Sequence, residues 1–237
     1  KIIKFNEKLL NDVDVIFTAL PNGEAQVISR LNSPHVVGLR EFGMTESEFP
    51  FFVMDLLEGQ TVAERLASNG PCGERDGARI LDELLAGLQE IHSRGVVHRD
   101  IKPSNLLINQ DAQLKLADFG IAASIAGTAS TMTINVLDAG TPSYMSPQQI
   151  EGRLPQATDD IYSLGATFYD LLTSKPPFYH GNIIHQVLNL NAPPIAERLT
   201  ELGLQNEVPD FVSSMVMACL QKDPAHRPPT AAAVQKW

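Results

Sequence analysis

His98-Arg99-Asp100-Ile101-Lys102-Pro103-Ser104-Asn105 is a polar stretch set between two apolar ones, Val96-Val97 before it and Leu106-Leu107-Ile108 after it. A further apolar run, Leu114-Lys115-Leu116, follows across Asn109-Gln110-Asp111-Ala112-Gln113. Two short strands joined by an Asn/Asp-rich turn predict a β-hairpin. Antiparallel pairing brings the outer ends of such a hairpin together, so Asn105 before it and Asp118 after it are expected to face one point in space. Two oxygen donors converging there suit a hard cation such as Mg²⁺.

On the N-terminal side of the stretch, Ile80, Leu81, Leu84, Leu85, Leu88 and Ile91 recur at helical spacing, and Gly95 can close that helix in a left-handed cap. The chain beyond the hairpin reads as mostly helical. The first 60 or so residues have a different pattern, in which short β-rich runs (Ile2-Ile3, Val36-Val37, Phe51-Phe52-Val53-Met54) surround one helical stretch from about Glu24 to Leu31. This predicts an α+β chain of two lobes, a partial small β-rich lobe over 1–57 and a large mainly helical lobe over 58–237, with Leu57-Glu58-Gly59-Gln60 as the hinge.

Composition narrows the function classes. With 28 acidic against 18 basic side chains, the net charge of −10 repels nucleic acid and anionic membranes alike. Only two cysteines occur, Cys72 and Cys219, without disulfide or zinc spacing, which points to a reducing, cytoplasmic setting. No apolar run reaches the ~18 residues that span a bilayer, so membrane contact is not expected from this segment, although it can be the cytoplasmic part of a larger anchored protein. Oligomeric state is not legible.

The stretch 98–105 resembles the catalytic loop of the protein kinase superfamily, H-R-D-x-K-x-x-N. The resemblance extends from about Glu24 to Arg227 and is similar in flavour to the eukaryotic-type serine/threonine kinases of bacteria. It implies a bilobal kinase fold, ATP and Mg²⁺ as cofactors, and a protein substrate. Asp100 is then the acceptor of the substrate hydroxyl's proton, Lys102 neutralises the transferring phosphate, and Asn105 with Asp118 of Asp118-Phe119-Gly120 holds the metal. Lys102 and Thr141 favour serine and threonine acceptors. Asp160-Ile161-Tyr162-Ser163-Leu164-Gly165 resembles the family's D-x-W/Y-S-x-G, whose Asp hydrogen-bonds the catalytic-loop backbone; an ordinary helix N-cap is the other role open to Asp160. In the small lobe, Glu24 resembles the partner of the phosphate-binding Lys, Met54 the gatekeeper, Asp55 and Leu57 the backbone contacts to adenine, and Leu107 the floor beneath the purine.

Three departures from the family pattern carry expectations of their own. Ser-Pro-Gln stands where A-P-E is usual, so Gln148 is expected to tie more weakly to Arg227 than a carboxylate would. The glycine-rich loop is not found, and the first strands of the small lobe are expected to precede Lys1. The phosphate-binding lysine is Lys1 or Lys4 if residues 1–5 are the third strand, with Lys1 preferred, or neither if they are the first; a solvated basic edge is the plain alternative. Thr128, Ser130, Thr131 and Thr133 are candidate phosphosites that would pair with Arg99. The main rival function is a pseudokinase acting as a binding or scaffolding module; the second is a small-molecule phosphotransferase of the same bilobal fold, a class expected to lack the stretch Thr141-Pro142-Ser143-Tyr144-Met145-Ser146-Pro147.

Overall fold

The computed structural model describes residues 31–44, 50–118 and 141–237. The predicted helix around Glu24 and the segment 1–5 lie outside the described residues, as does Phe119-Gly120. Strands β1 (Leu39–Met44) and β2 (Pro50–Met54) pair antiparallel, with a register irregularity between Leu39 and Glu41. The chain then crosses 55–58 to a second sheet, β3 (Gly59–Thr61), β4 (Leu106–Asn109) and β5 (Leu114–Leu116), ordered β3-β4-β5 and antiparallel throughout. Gly59 makes the entry into this sheet feasible, because a Cβ there would overlap the Ile108 carbonyl oxygen. The segment before β1 joins the same sheet: Val37 N–H donates to the Leu116 carbonyl at 2.9 Å and Leu116 N–H to the His35 carbonyl at 2.8 Å.

Helix α1 (Val62–Asn69) starts on a capping box in which Thr61 and Glu64 satisfy each other's backbone N–H groups. Helix α2 (Glu74–Ser93) has Glu74 and Asp76 in its first turn, where the helix dipole favours negative charge. It closes at Gly95 with φ 75, as the sequence predicts. Ile80, Leu84, Leu85, Leu88 and Ile91 are buried as expected, whereas Leu81 on the edge of the stripe is only partly so. Burying each such side chain contributes about 1.5–3 kcal/mol before entropy is subtracted.

Beyond the hairpin come α3 (Pro147–Ile150), α4 (Ala157–Thr173), α5 (Ile183–Asn189), α6 (Ile195–Leu202), α7 (Asp210–Cys219) and α8 (Ala231–Gln235). Helix α4 is the pillar of this lobe, buried on every face from Asp159 to Thr173. At Gly165 the neighbouring helix α7 comes so close that a Cβ would sit 2.7 Å from Cys219 Cβ. The hairpin β4–β5 is clamped against α2, with Leu106, Ile108, Leu114 and Leu116 turned inward and Leu107 and Lys115 outward. This fixes the polar turn 98–105 at the junction of α2, α4 and the sheet.

Candidate functional site

The turn takes its shape from buried groups on both sides. Asp160 is fully buried and its carboxylate accepts from the N–H of His98 and of Arg99, each at 2.8 Å, while His92 Nε2 lies 2.7 Å from Oδ2. Asp160 is therefore not an N-cap, which corrects one of its two expected roles: Gln156 caps α4, and it is Asp159 that accepts from the Gln156 N–H at 2.8 Å. One turn inside the helix, the Asp160 carboxylate points away from its own backbone and into the loop. The His98 ring, also buried, spans from the Ala117 carbonyl at 3.1 Å (Nε2) to the N–H of Asp100 at 3.3 Å (Nδ1). Burial holds its pKa below the ordinary value.

Asp100 is gripped on one oxygen. Asn105 Nδ2 and Lys102 Nζ both reach Oδ2 at 2.8 Å, and the same Asn105 amide also donates to the Asp100 carbonyl at 2.8 Å. The single helical turn Pro103–Asn105 makes this possible by folding Asn105 back over the loop. Across the hairpin mouth, Ala117 N–H donates to the Asn105 carbonyl at 2.9 Å, so Asn105 and Asp118 lie at adjoining positions, as hairpin pairing predicts. Asp118 adopts a left-handed backbone with φ 52. The donor set offered there, one amide oxygen and one carboxylate, is the hard-oxygen chemistry that Mg²⁺ takes.

From residue 141 the chain forms the turn Thr141–Tyr144, which Thr141 begins, and then α3. Tyr144 O–H donates to Asp170 Oδ2 at 2.6 Å, and burial pushes both groups' pKa values up, which favours the phenol and weakens the acid. Gln148 keeps the expected hydrogen bond, accepting from Arg227 Nη2 at 2.6 Å. It also does what a carboxylate there could not, donating from Nε2 to the Lys222 carbonyl at 3.0 Å. The charge of buried Arg227 is faced instead by Asp159, 4.0 Å from Nη1.

On the side toward β1 and β2, Met54 packs against the core and Leu107 faces away from α2. Asp55 is partly used up: its N–H donates to the Gly38 carbonyl at 2.9 Å and its side chain pairs with Arg40, so its carbonyl is the backbone group left to a ligand. Lys1, Lys4, Glu24, Thr128, Ser130, Thr131 and Thr133 lie outside the described residues. Sequence reasoning passed over His92, Asp159, Asp170 and Gln149. Only Gln149 had a local signal, the Ser146-Pro147-Gln148-Gln149 capping box; the others act through contacts distant in sequence.

Among the described residues no helix is long and apolar enough to cross a membrane. A family model described as the protein kinase domain matches residues 10–237. The chain is 35% identical over 210 residues to serine/threonine-protein kinase PrkC of Bacillus subtilis, covering 88% of this chain and 31% of that protein. It is 32% identical over 215 residues to serine/threonine-protein kinase PknB of Mycolicibacterium smegmatis, covering 88% and 33%. Serine/threonine-protein kinase PkaA of Streptomyces coelicolor is 34% identical over 234 residues, covering 96% and 40%. The chain thus spans about a third of the length of these relatives. Among solved structures, Rad53 residues 1–466 in complex with AMP-PNP superposes with a TM-score of 0.71 at 27% identity, covering 98% of this chain and 55% of that one.

Proposed function

This chain belongs to the protein kinase family, and from that premise we propose that it moves the γ-phosphoryl group of ATP onto serine and threonine hydroxyls of proteins. The observation that carries the proposal is the grip on Asp100, whose Oδ2 is held at 2.8 Å by both Lys102 and Asn105. Oδ1 is the oxygen we assign to the incoming hydroxyl's proton. As the hydroxyl oxygen bonds to the γ-phosphorus, the bond to the β–γ bridging oxygen breaks, ADP leaves, and Asp100 takes the proton. Lys102, already beside that carboxylate, is placed to offset negative charge on the moving group. Asn105 and Asp118 are the residues assigned to Mg²⁺, which when bound neutralises the phosphates. Met54, the Asp55 carbonyl, Leu57 and Leu107 are assigned to the adenine, and Glu24 with Lys1 to the phosphate-binding ion pair. Most of the rate gain in such a site comes from alignment and charge, since little covalent help is needed.

The substrate is a protein presented against the turn Thr141–Tyr144, and Arg99 is assigned to a phosphate on the segment carrying Thr128, Ser130, Thr131 and Thr133. Both cysteines are free and buried, which accords with a cytoplasmic setting. A binding-only scaffold has no use for a carboxylate gripped in this way. The test is Asp100→Asn, assayed by transfer from radiolabelled ATP to a generic basic protein. Transfer is expected to vanish while nucleotide binding, read by calorimetry, persists; turnover at the wild-type rate would refute the role.

A further inference from the structure

Arg99, immediately before Asp100, stands in a left-handed backbone with φ 72, which a long L side chain adopts only when its surroundings impose it. Both backbone polar groups of Arg99 are held from outside the loop. Its N–H donates to Asp160 Oδ1 on α4 at 2.8 Å, and its carbonyl accepts from Gln149 Nε2 on α3 at 2.8 Å. The other end of the same amide is also used: Gln149 Oε1 accepts from the Ser146 N–H at 2.9 Å, completing the capping box that starts α3. Helix capping explains Oε1 alone. It gives no reason for Nε2 to reach 50 residues back to the catalytic loop.

The geometry points to Gln149 as a positioning residue for Asp100. The Arg99 carbonyl and the Asp100 N–H are opposite edges of one rigid, planar peptide unit. Gln149 holds the carbonyl edge at 2.8 Å and His98 Nδ1 the N–H edge at 3.3 Å. Rotation of that unit would swing the Asp100 carboxylate away from Lys102 and Asn105. The side-chain amide therefore ties the end of the segment that presents substrate, 141–149, to the base that takes the hydroxyl's proton, and the two come into place together. Only an amide meets both demands, accepting at Ser146 and donating at Arg99. A carboxylate of the same length would keep the first bond and set oxygen against oxygen at the second.

This inference deepens the kinase proposal and rests on it, so the experiment keeps the two apart. Steady-state kinetics with MgATP and a generic protein substrate are measured on the full chain as wild type, Gln149→Glu and Gln149→Asn, the last retaining the amide one methylene short of both partners. In both variants kcat is expected to fall roughly tenfold, the worth of one good hydrogen bond, with KM for ATP unchanged. Rates are read well below each variant's melting temperature, so lost stability does not enter. Either variant with wild-type kcat, or a change confined to Tm or to KM, overturns the positioning role. An inactive wild-type chain sinks the kinase reading and this inference with it; an active wild type beside an equally active Gln149→Glu variant sinks this inference alone.

Discussion

The two ring nitrogens of His98 make demands that one protonation state satisfies. Nε2 faces a carbonyl oxygen, that of Ala117, and must carry the proton; Nδ1 faces the N–H of Asp100 and must not. The ring is therefore neutral in the working protein, in line with its lowered pKa. The unfolded chain binds the proton near the ordinary value of 6.5, and the folded chain only at lower pH. Stability is therefore full above that value and is lost as pH falls below it. A wild-type Tm that declines on acidification from about pH 7.5 to 5.5, with a flatter decline in His98→Gln, is the expected result. Parallel declines in the two proteins would remove His98 from the account. At this scale Asp100, Lys102, Asn105 and Asp118 were legible because their chemistry is packed into 98–118, one local stretch of chain. The partners that orient them, Asp160 aside, were not.

Helix α4 shows what an element contributes beyond its sequence motif. Its polar members Asp159, Asp160, Ser163, Thr167 and Asp170 are all buried, yet each that matters reaches another segment: Ser146 Oγ donates to Asp159 at 2.7 Å, and Thr167 Oγ1 to the Ile101 carbonyl at 3.3 Å. Glycine at 165 lets α7 approach from the other side. A methyl group there gains helix propensity of about 1 kcal/mol, but the resulting overlap with Cys219 and Leu220 costs about 1–3 kcal/mol. Gly165→Ala is therefore expected to lower Tm, by about 2–4 °C for each kcal/mol in a chain of this size. An unchanged or raised Tm would show that α7 yields without cost. The apolar stripe of α2 was legible from periodicity, and the two strands of the hairpin from short apolar runs flanking an Asn/Asp-rich turn. That α4 is buried was legible only through the resemblance of Asp160–Gly165 to the family motif, since the helix carries too many polar side chains for periodicity to show it.

Across the whole molecule, Arg227 is the residue that joins what the chain order separates. From the closing segment its guanidinium donates to Gln148 Oε1 in α3, to the Thr158 carbonyl in α4, and to the Gln221 and Lys222 carbonyls after α7. A lysine has neither the fork nor the donors to span these acceptors. Arg227→Lys is expected to cost about 3 kcal/mol, because the part-buried acceptors, Gln148 Oε1 and the Thr158, Gln221 and Lys222 carbonyls, lose the fork's hydrogen bonds. Urea unfolding measures it, and a midpoint shifted by less than about 0.3 M would contradict it. The expected weakness at Gln148 is met here by redistribution: Asp159 faces the charge, and the amide adds a bond to Lys222 that only a neutral side chain can make.

What the sequence determined by itself was the local chemistry: a carboxylate, an ammonium, an amide and a second carboxylate spaced along one hairpin, and the helices whose apolar residues keep a regular period. Those properties depend on neighbours within a few residues, so they can be read from order alone. What only the tertiary structure decided was which distant groups hold that chemistry still: His92 against Asp160 under the loop, Asp159 opposite Arg227, Gln149 on the Arg99 carbonyl. Each is a hydrogen bond or ion pair between segments tens of residues apart. Its partner is chosen by how the helices pack, a property no local pattern encodes.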